Sequence, residues 1–183
     1  PLHLVTGLVL DPKEDLTTWI LRDLEDNLFI SRDYGRISDK EKYWFSQGGN
    51  TIQSNLLFND IVYLERNEPE RALRSLFNNF AQNLYRDMNC FTEHPVPEFG
   101  HGIGPFFKIS DEAQFLVNLR NHLVREDDKS LLLLQAASRE WFAPGKKIKL
   151  EKFASGNGPV SIETESYETC IKVTIDGDWR NSP

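Results

Sequence analysis

The chain has 183 residues, long enough for one domain or two small ones, and its 39% hydrophobic and 27% charged content fits a globular protein in water. No run approaches the ~20 apolar residues of a membrane span. A net charge of -7 with no basic, aromatic-interleaved patch argues against nucleic acid as a partner.

Leu16, Ile20, Leu24 and Leu28 recur at a spacing of four and predict a helix over 12–28, with Pro12, Glu14 and Asp15 suited to its first turn. Residues 30–50 read as a long polar and aromatic loop. A broad apolar face made by Ile52, Leu56, Leu57, Ile61 and Leu64 predicts a buried helix over 51–66. Asn67-Glu68-Pro69-Glu70 has the form of a capping box. From it Leu73, Leu76, Phe77, Phe80, Ala81 and Leu84 run as one stripe, so these two helices form an antiparallel hairpin.

The segment Cys90–Phe107 follows as a loop stiffened by prolines and loosened by glycines, and Ser110-Asp111-Glu112 starts a helix carrying Phe115, Leu116, Leu119 and Leu123. Beyond it Leu131–Leu134 is a continuous apolar run, short enough for a buried strand, and the period drops from 3.6 to 2 in Ile148/Leu150, Val160/Ile162 and Ile171/Val173/Ile175. Gly156-Asn157-Gly158 and Asp176-Gly177 mark turns. The fold class is therefore α+β: helical hairpins over 1–129, then a small antiparallel sheet or sandwich segment over 130–183. Cys90 and Cys170 lie far apart without metal-ligand spacing, and both are expected as free, buried thiols. No initiator Met or leader opens the chain and no closing element follows the last strand, so a piece of a longer protein is expected, prone to self-association. The missing leader does not decide location; a periplasmic or secreted setting is favoured slightly over the cytoplasm.

Chemistry concentrates between Cys90 and Phe107. Glu93 and Glu98 bring two carboxylates and His94 and His101 two imidazoles to one segment. From the residues alone, Glu93 is either a glutamate that caps the next helix or faces solvent, or a carboxylate aimed at a ligand. Thr92, His94 and nearby glycine N–H groups are its expected orienting donors. Glu98 is a turn residue or a rival carboxylate in the same role. A divalent metal on these acids and histidines is not expected, because the spacing matches no closed cage and Pro95 and Pro97 restrict convergence. Asp111 and Glu112 read as first-turn acids. Earlier, Tyr43-Trp44-Phe45-Ser46-Gln47-Gly48-Gly49-Asn50 sets aromatic faces beside amides, as a sugar subsite does, or forms a buried aromatic patch under a loop. A phosphate cradle there lacks any Lys or Arg within the motif.

The order Phe91-Thr92-Glu93-His94, then Pro97-Glu98-Phe99-Gly100, then Gly104-Pro105-Phe106-Phe107, resembles the base-bearing inter-helix loop of six-hairpin glycosidases, notably the processing α-glucosidases and their bacterial relatives. Those carry a Trp after the Pro-Phe pair where this chain has Lys108-Ile109, a departure from the α-glucosidase branch. Trp141-Phe142 with Gly145-Lys146-Lys147-Ile148 is similar to the passage that opens their C-terminal β-domain. The resemblance spans about residues 40–175. It implies the end of an (α/α)6 toroid and the start of its β-domain, acting on an oligosaccharide or polysaccharide. It further implies inverting hydrolysis with Glu93 as general base, Glu98 as the alternative catalytic carboxylate, and Trp44, Gln47, Asn50, His94, His101 and Phe106 against substrate. The general acid would come from an earlier hairpin, with Asp33 the nearest candidate in this chain, and no cofactor is implied. The other expectation is a non-catalytic carbohydrate-binding or structural module; a third is a helical protein-interaction module.

Overall fold

The computed structural model describes residues 3–7, 9–27, 29–30, 44–47, 50–51, 58–85, 87–96, 101–127, 130–156 and 158–177. The chain divides into two compact units, Pro1–Leu123 and Val124–Pro183, so the division falls at the end of a helix where the sequence reading sets it at 129. Helices with small antiparallel sheets make the class α+β.

The first unit opens with a single turn, α1 (His3–Thr6), and α2 (Asp15–Asn27). Among its described side chains Thr17 and Leu21 are buried, while Leu16 and Trp19 are exposed. The inner face thus lies one residue away from the expected leucine stripe. Burial of Thr17 is tolerated because its hydroxyl donates to the Asp11 carbonyl at 2.7 Å. Short strands follow, β1 (Phe29–Ile30), β2 (Trp44–Gln47) and β3 (Asn50–Thr51), in sheet order β1-β2-β3. Part of the expected 30–50 loop is therefore strand.

The expected helical hairpin is present as α3 (Asn59–Glu65) and α4 (Pro69–Asn83). It starts later than 51, with residues 52–57 outside the described ones. Asn67 turns the chain at φ 58, a left-handed value that Asn adopts more readily than most residues. Pro69 then takes the first helical turn, where its missing N–H costs nothing. The capping box is not formed: Glu68 is the N-cap and makes no side-chain cap bond. Arg66 closes the corner, donating to Glu68 Oε1 at 2.9 Å, the Pro12 carbonyl at 2.8 Å and Thr18 Oγ1 at 3.0 Å.

The largest correction concerns Cys90–Phe107. Instead of a loop, β4 (Leu84–Tyr85), β5 (Cys90–Val96) and β6 (His101–Phe106) form an antiparallel sheet in that order, leading into α5 (Ile109–Leu123). Val96 pairs with His101, Pro95 with Gly102 and His94 with Ile103. The register then slips, and Thr92 pairs with Phe106. Gly104 and Pro105 thus stand opposite Glu93. Proline supplies no N–H to a ladder, so pairing breaks there as a bulge. Behind β5, the rings of Phe80, Phe91 and Phe115 meet at centroid distances of 5.2–6.0 Å. They join α4, β5 and α5 into one core. Phe91→Leu is expected to cost about 1–2 kcal/mol through lost edge-to-face contact and an imperfect fit. Urea unfolding checks this, and a change near zero would mean the trio does not hold the unit together.

In the second unit β7 (Val124–Glu126) pairs with β8 (Leu131–Leu133), which is half-buried where a buried strand was expected. A three-stranded sheet, β9 (Lys147–Ser155), β10 (Gly158–Ser166) and β11 (Ile171–Gly177), has β10 in the centre. Val160, Ile162 and Thr164 are buried along one face of β10, as the alternation requires. Ser161 faces two residues of β9 across a bulge, and its Oγ accepts from Lys152 N at 3.0 Å. Gly145 takes φ +84 in the turn before β9, and its N–H donates to the Ser166 carbonyl at 2.8 Å. Cys90 is buried as expected; Cys170 is exposed, contrary to expectation.

Candidate functional site

Glu93 sits in mid-β5 opposite the Gly104-Pro105 bulge, its side chain 23% exposed. Bulges recur beside active sites because they re-aim a side chain out of the ladder. Lys108, in the short link between β6 and α5, donates to Glu93 Oε1 at 2.6 Å. The same ammonium lies 3.7 Å from Asp111 Oδ2 in the first turn of α5, and the Asp111 side chain is fully buried. A second tie crosses nearby, from the Phe91 N–H to Glu112 Oε1 at 3.3 Å. The first turn of α5 therefore fixes β5 both directly and through Lys108.

The hydrogen bond to Glu93, foremost, and the Asp111 charge raise the Lys108 pKa above its ordinary 10.5. A raised lysine pKa stabilises the fold fully below the unfolded value and loses that effect as pH climbs through the folded one. The Lys108 ammonium thus stays charged through neutral pH, and its contribution is lost only in strongly alkaline solution. Lys108→Met leaves the buried Asp111 facing Glu93 without the cation and is expected to cost about 1–3 kcal/mol. Unfolding midpoints of Lys108→Met and Lys108→Arg measure this, the Arg variant recovering most of the loss.

Asp111 is an anchor for Lys108: the one ammonium lies 2.6 Å from Glu93 Oε1 and 3.7 Å from Asp111 Oδ2, so it bridges the two carboxylates. Lys108 is absent from the residues the sequence points to, and Asp111, expected as a first-turn acid, lies 3.7 Å from its ammonium. The expected orienting groups for Glu93 were Thr92, His94 and glycine N–H groups; the charged partner is Lys108. A signal existed in the lone Lys between Phe107 and the acids Asp111 and Glu112, three and four residues on.

Of the other expected residues, His94, His101 and Phe106 lie on β5 and β6, and their backbone placement is what the described structure fixes. Trp44 and Gln47 lie on β2, and Asn50 on β3 pairs with Gln47. β3 packs beside β5, which brings the Trp44–Asn50 segment and the Glu93 strand into the same part of the first unit. Glu98 and Asp33 lie outside the described residues. In the second unit an open groove of about 540 Å³ is lined by Lys149, Glu151, Lys152, Glu163, Thr174 and Asp176 among others. Its lining holds no aromatic ring, and Lys149 pairs with Glu151 at 2.6 Å, so it is a solvated charged face of the sheet.

A second polar feature lies within the helices. Asn59 and Asp60 on α3, Ser75, Asn79 and Asn83 on α4, and Asp111, Asn118, Asn121 and His122 on α5 are all buried. Among the described residues, Asn59, Asp60 Oδ2, Ser75 Oγ and Asn83 Oδ1 carry buried atoms with no hydrogen-bond partner. Burial, its largest cause, raises the Asp60 pKa from 3.8 to about 7 against the Ile61 N–H that donates to its Oδ1 at 2.8 Å. Burial also lowers the pKa of His122, whose Nδ1 lies 2.8 Å from the Asn118 carbonyl.

Comparison of the chain with protein-family models, with curated proteins and with solved structures finds no significant match.

Proposed function

We propose that the chain is part of a carbohydrate-active protein, a glycoside hydrolase that cleaves by inversion with Glu93 as general base. The observation that carries the reading is the setting of Glu93: a half-buried carboxylate at a bulge, held by Lys108 and, through it, by buried Asp111. A base acts well when it is ionised and aimed at one water, and a cation fixed on one oxygen serves both needs while leaving the other oxygen for the proton. The resemblance of Phe91-Thr92-Glu93-His94 to the base loop of six-hairpin glycosidases supplies the substrate class. With it goes the finer architecture, the last hairpins of an (α/α)6 toroid, supported by the α3–α4 hairpin and the packing of α4 on α5. Glu98 is kept as the rival carboxylate, and Trp44, Gln47, Asn50, His94, His101 and Phe106 as sugar contacts. The general acid belongs to another part of the whole protein.

The ion pair also favours a second reading, a carbohydrate-binding module without chemistry. A carboxylate held at 2.6 Å by an ammonium is a weakened base and a good hydroxyl acceptor. Calorimetry with a panel of oligosaccharides, beside hydrolysis assays on the full-length protein, separates the two. Binding with turnover supports the enzyme, binding alone the module, and neither removes both.

A further inference from the structure

We propose that Phe107 is the ring on which a sugar stacks beside Glu93, an inference that rests on the carbohydrate reading above and names a contact residue for it. Phe107 stands between Phe106, the last residue of β6, and Lys108, whose ammonium donates to Glu93 Oε1 at 2.6 Å. The ladder ends at the Thr92–Phe106 pair, and the chain leaves it through Phe107 at φ 58. That turn carries Lys108 back to the carboxylate. It also sets the Lys108 carbonyl to accept from the Asp111 N–H at 2.9 Å, where α5 begins.

A left-handed backbone suits glycine, tolerates asparagine and strains a bulky residue. Among the described residues of the first unit, the other non-glycine positions of this kind are Asn67 and Asn89, so Phe107 is the costly one. The fold gives its ring little in return. Phe107 is 59% exposed. A hydrophobic staple would pack it on the fourth residue of α5, but that residue is Glu112, whose Oε1 accepts from the Phe91 N–H. Backbone strain that packing does not explain gathers at ligand sites. What remains is an aromatic face open to water, one residue from the lysine that fixes Glu93. The apolar C–H face of a pyranose packs on such a ring, and Lys108 and Glu93 beside it can donate to and accept from the hydroxyls.

Calorimetry of the full-length protein with trisaccharides of glucose, mannose, galactose and xylose tests this. Phe107→Ala is expected to weaken binding of the best of them about 10-fold or more, and Phe107→Trp, which keeps a stacking face, to bind within a few-fold of wild type. Phe107→Gly separates ligand contact from packing. It relieves the turn, so stability in urea is expected to hold or rise while affinity falls as in Phe107→Ala. Lost affinity in both variants with the Phe107→Gly fold intact establishes the proposal. A wild type that binds sugar no better than Phe107→Ala overturns it and leaves the role of Glu93 standing. A Phe107→Gly protein clearly less stable than wild type would make the ring a packing element and overturn it too. A wild type that binds none of the trisaccharides overturns both this inference and the reading beneath it.

Discussion

Glu93→Gln is expected to lower oligosaccharide turnover by the full-length protein about 10²–10⁴-fold, the usual worth of a positioned general base, with sugar affinity changed only a few-fold. Glutamine keeps the shape and one oxygen acceptor for Lys108 but cannot take a proton from water. The loss therefore falls on kcat and on kcat/KM together. Single-turnover hydrolysis beside calorimetry reads both quantities. Unchanged turnover would remove Glu93 from the chemistry, and lost binding with lost turnover would make it a contact residue. Lys108→Arg serves as the companion, since it preserves the cation and should retain most of the rate, whereas Lys108→Met should not.

Asp60→Asn is expected to stabilise the protein at neutral and alkaline pH, by up to ~4 kcal/mol on the shift from 3.8 to about 7. The sign follows from proton counting. Between those values the folded protein holds the Asp60 proton and the unfolded chain has lost it. Stability from this group is therefore greatest in acid and declines as pH rises through the window, levelling off above the folded value. The amide removes the buried charge, and its oxygen can still accept from the Ile61 N–H that now meets Oδ1 at 2.8 Å. His122 works in the other direction. Its folded pKa is lowered, so stability is lost as pH falls below the ordinary histidine value of 6.5. The difference between wild type and Asp60→Asn isolates Asp60, because His122 is common to both. Urea unfolding at pH 4, 5.5 and 7.5 measures it. Equal stabilities of the two proteins at every pH would mean that Asp60 ionises in the fold as easily as in the open chain.

Much of the frame was legible. Pro69 and the Leu73–Leu76–Phe80 stripe announced α4, and the alternation of Val160 with Ile162 and of Ile171, Val173 and Ile175 announced the sheet. The β5–β6 hairpin was hidden because Pro95, Pro97, Gly100, Gly102 and Gly104 are the residues that punctuate loops. The ladder accommodates Pro95 within a pair and Pro105 in a bulge, a tertiary outcome that local propensity does not register. The α5 helix was legible from its leucines but its orientation was not, since Leu116 and Asn118 exchange the places that hydropathy assigns them. Glu93 stood out for its neighbours in sequence, while Lys108 and Asp111 did not, because the hairpin that brings them to Glu93 was unseen.

For the proposed chemistry itself, proton NMR of the first sugar released by the full-length protein, followed before mutarotation, offers the sharpest reading. Attack by a water that Glu93 has deprotonated delivers the anomer opposite to that of the bond cleaved. Release of the same anomer, or no release from any oligosaccharide in a broad panel, would show that Glu93 is not an inverting base.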